Sequence, residues 1–348
     1  MLDPFVLLDS SRAVLHEEED PYYCQDAREE IATMVQDRFA VRFLTAVYVV
    51  IVHGCGIRLS FWDPSGTVFS KSFDYVKDPS TFCEFLWRIS MLTDIQLGLD
   101  PTATPVLPHS DEYRLMNQLA EPREDDLPLV EGAVVDGDYT DPHRMFQFHR
   151  ACYAQFVHHG TGPFVDVDAR WKLSIPLPDG DSRQFLIAGA MRYQAGTDPD
   201  PRNGRTYLAV DCLTKNIVFL KDTWRYTDNV LREGQVLAQL NAAGVPHVPT
   251  LLCEAELPGQ ETRTPEFCAP KNADASKMIA SADDEEDEDT VYKADSAHQV
   301  VFVLRHYRLV VRDLCVSLTK ACKSGRQVVA MVRDCIYGTM LPSYMFSL

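Results

Sequence analysis

Ile217-Val218-Phe219-Leu220-Lys221-Asp222-Thr223-Trp224 is the stretch whose reading decides the fold. Its first four residues are β-branched, aromatic or aliphatic, which favours a half-buried strand. Side chains alternate along a strand, so Lys221 shares a face with Ile217 and Phe219. Downstream, Asp228 to Ala243 reads as a helix, with Asp228 as cap and Gly244 as its stop. Glu233, Leu237 and Leu240 are spaced by four and three and fall on one stripe of that helix. A carboxylate on an apolar stripe is costly to bury without a partner, and so is an ammonium on a packed sheet face. Each charge therefore predicts the other. A lysine aimed by a glutamate can hold phosphate oxygens. The same spacing also suits a solvated pair at the ends of two elements, and such pairs are common and weak.

Further strands precede this run. Trp171 to Ile175, Gln184 to Met191 and Thr206 to Cys212 each read as strands, with Leu213-Thr214-Lys215-Asn216 as the turn before Ile217. Beyond the helix, Val248 to Cys253 leads towards another strand, and Val300 to Leu304 and Leu309 to Val311 are two more candidates. Nearer the amino terminus, Glu17 to Tyr48 begins with helical spacing and becomes strand-like. Val47, Val49 and Ile51 alternate, as do Ile57, Leu59 and Phe61. Asp63-Pro64-Ser65-Gly66 is a turn, with proline presetting φ, and Val68 to Phe73 follows as a third strand. Asp78-Pro79 then reads as a helix cap with proline in the first turn. Phe82, Phe85, Leu86 and Ile89 recur at helical spacing and imply a helix packed on the three-stranded meander.

At 348 residues the chain is long enough for two or three domains, and 46% of it is hydrophobic. Its net charge of −18 argues against nucleic acid or an anionic membrane as partner. Protein partners are compatible with that charge. The ten cysteines include no C-x-x-C pair and no zinc spacing, which reads as reduced thiols in the cytoplasm or nucleus. Met1-Leu2-Asp3-Pro4 lacks the features of a secretory signal, and the apolar run Phe43 to Val52 is too short to span a membrane.

The expected organisation is α+β. Residues 1–19 are a flexible start, 20–105 an α+β unit, and 106–140 an acidic, proline-rich linker with at most one short helix around Tyr113 to Leu119. Residues 141–256 form a small β-rich lobe. Residues 257–298, with the block Asp283 to Asp289, are an acidic disordered insert. Residues 299–320 return as the last strands and a hinge, and 321–348 open a helical segment marked by Val328, Val329, Val332, Cys335 and Ile336.

Several stretches resemble the fungal-type protein kinase family of filamentous and mushroom-forming fungi. They are Ile57 to Gly66, Ser70 to Asp74, Leu97-Gly98-Leu99-Asp100-Pro101-Thr102, Lys221-Asp222-Thr223-Trp224, Arg232-Glu233-Gly234, and Gly244-Val245-Pro246-His247-Val248. Pro64 departs from the arginine usual in that family's turn. The resemblance implies a protein-kinase-like small lobe with an incomplete large lobe. It makes ATP the cofactor, with magnesium in the family at large, and protein serine or threonine the family's substrate. Lys221 would hold phosphates, Glu233 would orient Lys221, Gly204 and Arg205 stand where the family covers the nucleotide, and the segment near Val311 would meet adenine. No G-x-G-x-x-G occurs, and Gly189, Gly196 and Gly204 are isolated.

Val332-Arg333-Asp334-Cys335-Ile336-Tyr337-Gly338 resembles the family's helix before its catalytic loop. No H-R-D-type loop and no D-F-G-type metal site follow it in these residues. The tripeptides Val311-Arg312-Asp313 and Val332-Arg333-Asp334 lack the asparagine that holds metal. The expectation is a chain truncated before the catalytic loop, with no catalytic or metal-binding residue and no phosphotransferase activity of its own. The alternative is a non-catalytic protein-interaction module or pseudokinase remnant. His143, His149, His158 and His159, near Asp141, Asp166 and Asp168, match no metal-binding spacing and read as a polar helix face and loop. Cys152 near His149 lacks the third group a nucleophile needs. The acidic block makes Ser281 a candidate site for an acid-directed kinase.

Overall fold

The computed structural model describes residues 21–124, 126, 142–158, 169–190, 204–226, 231–268, 302–314, 325–326, 328–329 and 332–333. The acidic block, Ser281, the Asp228 cap, Cys335, Ile336, and the histidine and aspartates at 159, 141, 166 and 168 lie outside the described residues. The chain divides into two compact units. One comprises Met1–Val35, Leu44–Leu99 and Glu261–Leu304; the other comprises Gln36–Phe43, Asp100–Gln260 and Arg305–Leu348. The first long helix, α1 (Pro21–Val41), contributes to both. Among the described residues, no helix is long and apolar enough to cross a membrane.

The first unit holds the expected meander. β1 (Val47–His53), β2 (Gly56–Asp63) and β3 (Gly66–Phe69) run antiparallel, and the two-residue β4 (Phe73–Asp74) adds to β2. Gly54, with φ of 63°, makes the tight turn between β1 and β2. Asp63 and Gly66 pair across the next turn. The Asp63 carboxylate accepts from the Ser65 amide at 2.9 Å, and from the Arg263 and Thr264 amides at 2.6 and 2.7 Å. One turn residue thus fastens the start of α6 (Thr264–Cys268) to the meander. Helix α2 (Pro79–Ser90) starts as its sequence directs, with the Asp78 carboxylate accepting from the Thr81 hydroxyl at 2.7 Å. Its packing differs from expectation. No residue of α2 is buried, and Trp87 is 63% exposed.

The second unit is built on a seven-stranded sheet. Its strands are β5 (Ala103–Pro105), β6 (Trp171–Pro176), β7 (Ser182–Ile187), β8 (Arg205–Asp211), β9 (Ile217–Tyr226), β10 (Leu251–Glu261) and β11 (Leu304–Val311). They lie in the order β10-β11-β9-β8-β7-β6-β5. Helices α3 (Asp111–Ala120), α4 (Pro142–His158) and α5 (Glu233–Ala242) complete it. Residues just before and within the span read as linker are used here. Ala103 pairs with Leu173, and Val106, Met116 and Ala120 join the core. The insert also begins later than its composition suggested, because β10 runs through Leu257 to Glu261 and α6 follows. The second candidate, Leu309 to Val311, extends back to Leu304 as one strand, β11, buried at seven of its eight positions; of the first candidate, Phe302 and Val303 precede that strand, and 300–301 lie outside the described residues.

The ladder sorts the sheet into two faces, because paired residues share a side. Tyr207 pairs with Leu220 and Ala209 with Val218, and these join Leu173, Ile175, Phe185 and Phe43 in one apolar cluster. Leu208 pairs with Phe219 and Val210 with Ile217, and these join α3 and α4 in a second. A third cluster of Tyr307, Leu309 and Val311 packs with Phe219 and Leu237 of α5.

Candidate functional site

Lys221 and Glu233 meet. The Lys221 Nζ donates to Glu233 Oε2 at 2.6 Å, with side chains 35% and 50% exposed. The lysine occupies the expected face, paired with Thr206 and two residues on from Phe219. The glutamate does not sit mid-helix on a buried stripe. Helix α5 begins at Glu233 itself, with Arg232 as cap, so the carboxylate stands in the first turn. There the helix dipole favours negative charge, and the pair stays partly exposed.

Each residue of Arg232-Glu233-Gly234 does a separate job. The Arg232 guanidinium bridges Glu254 of β10 at 2.9 Å, while its amide donates to Gln235 Oε1 at 3.1 Å. Glu233 takes Lys221. The Gly234 amide donates to the Tyr307 hydroxyl of β11 at 2.9 Å. A Cβ on Gly234 would lie 2.3 Å from Glu254 Cγ, so only glycine lets the helix start rest this close to the sheet. Burial, first among the causes, raises the Tyr307 phenol far above its ordinary range.

On the opposite face, one residue along, Asp222 anchors a buried polar network. Its Oδ1 accepts from His306 Nε2 at 2.6 Å and from Arg308 Nε at 2.9 Å, and its Oδ2 accepts from Arg205 at 2.6 Å. Arg308 reaches on to Asp100 Oδ2 at 2.5 Å and to the Thr102 hydroxyl at 2.7 Å. Gln260 links Asp100 to His306: its Nε2 donates to Asp100 Oδ1 at 2.6 Å, and its Oε1 faces His306 Nδ1 at 2.5 Å. The Asp100 carboxylate only accepts, which fixes the orientation of the Gln260 amide. Both His306 ring nitrogens then face oxygen atoms, Asp222 Oδ1 and Gln260 Oε1. Trp224 stacks on His306 with ring centroids 4.6 Å apart. Burial alone would raise the Asp222 carboxyl, but His306, Arg308 and Arg205 outweigh it and hold the acid well below the usual carboxylate range. Burial likewise opposes, and Arg308 then His306 overcome, in lowering Asp100.

The other candidates separate. Arg205 faces this network, not the Lys221 side. Its guanidinium also donates to the Phe39 and Arg42 carbonyls and lies 4.4 Å from the Phe43 ring centroid. Gly204 lies against Thr223, whose Cβ would be 2.6 Å from an added side chain, so close strand packing is reason enough for glycine there. Asp313 of the first V-R-D tripeptide accepts from the Thr250 amide at 2.6 Å and ties the end of β11 to β10. His149 is buried within α4 and does not stand on a polar face, and burial lowers its imidazole to about 4. Among the described residues, no group of three or more His, Cys, Asp or Glu side chains could hold a metal ion.

Residues 14–129 match the fungal protein kinase family model. That match supports the fungal-type protein kinase assignment. No curated protein and no solved structure matches the chain. The kinase match includes Asp63 to Gly66 and Asp100-Pro101-Thr102, whereas Lys221 and Glu233 lie beyond it. Two of the kinase-like stretches converge in space: Asp100 and Thr102 from one, Asp222 and Trp224 from the other, all around Arg308 and His306. Gln260, His306 and Arg308 were not singled out in the sequence. The signal for them was present, since charged side chains inside the run Leu304 to Val311 need buried partners.

Proposed function

We propose that the second unit is the nucleotide-binding lobe of a fungal-type protein kinase, with ATP held at Lys221. The observation that carries this reading is the 2.6 Å contact between the Lys221 ammonium and the Glu233 carboxylate. In protein kinases the phosphate-binding lysine lies on the third strand and its glutamate on the helix that follows. Counting from β7, Lys221 lies on the third strand, and Glu233 opens the helix after it. Lys221 would hold phosphate oxygens as a point charge, Glu233 would fix its direction, the backbone at Gly204 would border the phosphates, and the strand-to-hinge segment near Val311 would meet adenine. The first turn of α5 adds a favourable field for anionic oxygens.

ATP would supply the transferable phosphoryl group. Lys221 and Glu233 supply a charge and its direction at the phosphates. These residues therefore hold nucleotide; orienting a protein hydroxyl and neutralising the developing charge need groups outside the motifs found here. Titrating a fluorescent ATP analogue into the chain and into Lys221→Ala tests the reading. Binding lost in the variant is expected, and equal binding by both would remove the assignment.

A second reading, a non-catalytic protein-interaction module, is favoured by the unburied apolar side chains of α2, including Leu86 and Trp87. Magnesium-dependent phosphate transfer to a protein substrate would reject it.

A further inference from the structure

The apolar ground beside Lys221 is already covered from within its own unit. Phe219, two residues before the lysine on the same face, pairs with Leu208. Met116 of α3 and Tyr153 and Val157 of α4 form one cluster with Leu208, Phe219 and Leu314. Met116 and Tyr153 are fully buried. Leu314 follows the end of β11, in the segment assigned above to adenine. Helix α4 also reaches that segment's backbone, because the His149 ring hydrogen-bonds Leu314. A purine needs the same two provisions, an apolar slot near the lysine and a hydrogen bond to the adjoining backbone. Tyr153 and His149 occupy both from inside the chain.

We propose that α3 and α4 are a built-in cover over the base-binding part of the Lys221 site, and that nucleotide enters only when α4 leaves the sheet. The proposal rests on the nucleotide reading of Lys221 and adds its regulation. Docking of α4 is not an all-apolar contact: Gln147, His149 and Arg150 are buried with it. Arg150 pairs with Asp126 at 2.5 Å, yet its buried Nε has no hydrogen-bond partner among the described residues, and a polar atom buried in that way weakens the docking of the helix that carries it. Nucleotide affinity is then reduced by the fraction of chains with the cover open.

The test uses the full chain, a fluorescent ATP analogue, and hydrogen exchange of the α4 amides with and without it. His149→Ala removes the contact to Leu314 and should tighten binding by about tenfold if it opens the cover to that extent. Adding Lys221→Ala to that variant should abolish binding. In the unsubstituted chain, the analogue should speed exchange of α4 amides, a readout that does not depend on any variant folding. Lys221-dependent binding with unchanged affinity in His149→Ala and unchanged α4 exchange would overturn the cover and leave the nucleotide site standing. Binding that ignores Lys221 would remove both.

Discussion

Lys221 and Asp222 are neighbours in the chain and sit on opposite faces of one strand. Lys221 has one carboxylate partner and is a third exposed. Asp222 has three partners, two guanidinium groups and the His306 ring, and is almost wholly enclosed. The difference separates two uses of charge. A half-exposed ion pair adds little to stability and stays open to a ligand. A fully enclosed network cannot change one member without stranding the others. The partly exposed ion pair on one side of β9 and the enclosed network on the other are therefore read off adjacent residues.

The strongest way to break this comparison is Asp222→Ala. It leaves Arg205, Arg308 and His306 facing one another without their shared acceptor. Removing one partner of a buried ion pair costs about 3–5 kcal/mol, a large part of the roughly 5–15 kcal/mol that holds a domain together. Urea unfolding followed by tryptophan fluorescence measures it, with Trp224 stacked on His306 as a local reporter. A loss below about 1 kcal/mol, the range of a surface pair, would mean that the network is no more structural than the Lys221 pair.

Acid sharpens the same contrast more gradually. Asp222 and Asp100 are lowered in the folded chain, so the unfolded chain binds protons more readily than the folded one. Their stabilisation is present above the unfolded carboxylate value of about 4, and is lost as pH falls through their folded values. Asp211 adds to this limb: burial opposes its lowering, and Arg183, Thr214 and the Leu213 amide overcome it. The melting temperature should begin to fall below about pH 6.5, where His149 of the unfolded chain takes up a proton that the buried ring, lowered to about 4, does not, and should fall further below about pH 4 as the carboxylates protonate. A flat profile down to about pH 3 would show that these acids are not held as the geometry requires.

The sequence made the strands of the meander, β9 and the Lys221–Glu233 pair legible, because period-two alternation and charge complementarity act locally. Its failures have separate causes. Leu309 to Val311 was separated from Val300 to Leu304 because Arg305, His306 and Arg308 interrupt the apolar run, yet His306 and Arg308 are buried by pairing with Asp222, Asp100 and Gln260, far away in the chain, while Arg305 stays partly exposed beside Glu256. Ala103 to Ala120 looked like a boundary and linker because proline and acid are frequent there. Strand β5 needs only three residues to pair with β6, and α3 needs only Met116 and Ala120 to reach the core. Helix α5 was drawn too early because Glu233 was placed on a stripe, when its position at the helix start already satisfies it through Lys221.

The smallest stability effect and the largest binding effect should coincide at Lys221. Replacing it by alanine removes a pair whose members are 35% and 50% exposed, so the stability change should stay below about 1 kcal/mol once solvent screening is counted. A ligand that binds only the folded chain stabilises it by about 2.7 kcal/mol at a hundredfold excess over its Kd. Urea unfolding of the unsubstituted chain with excess ATP analogue should show a gain of that order, and Lys221→Ala should show none. If the substitution instead unfolds the chain as Asp222→Ala does, Lys221 is a structural partner, and the division of β9 into a holding face and a binding face fails.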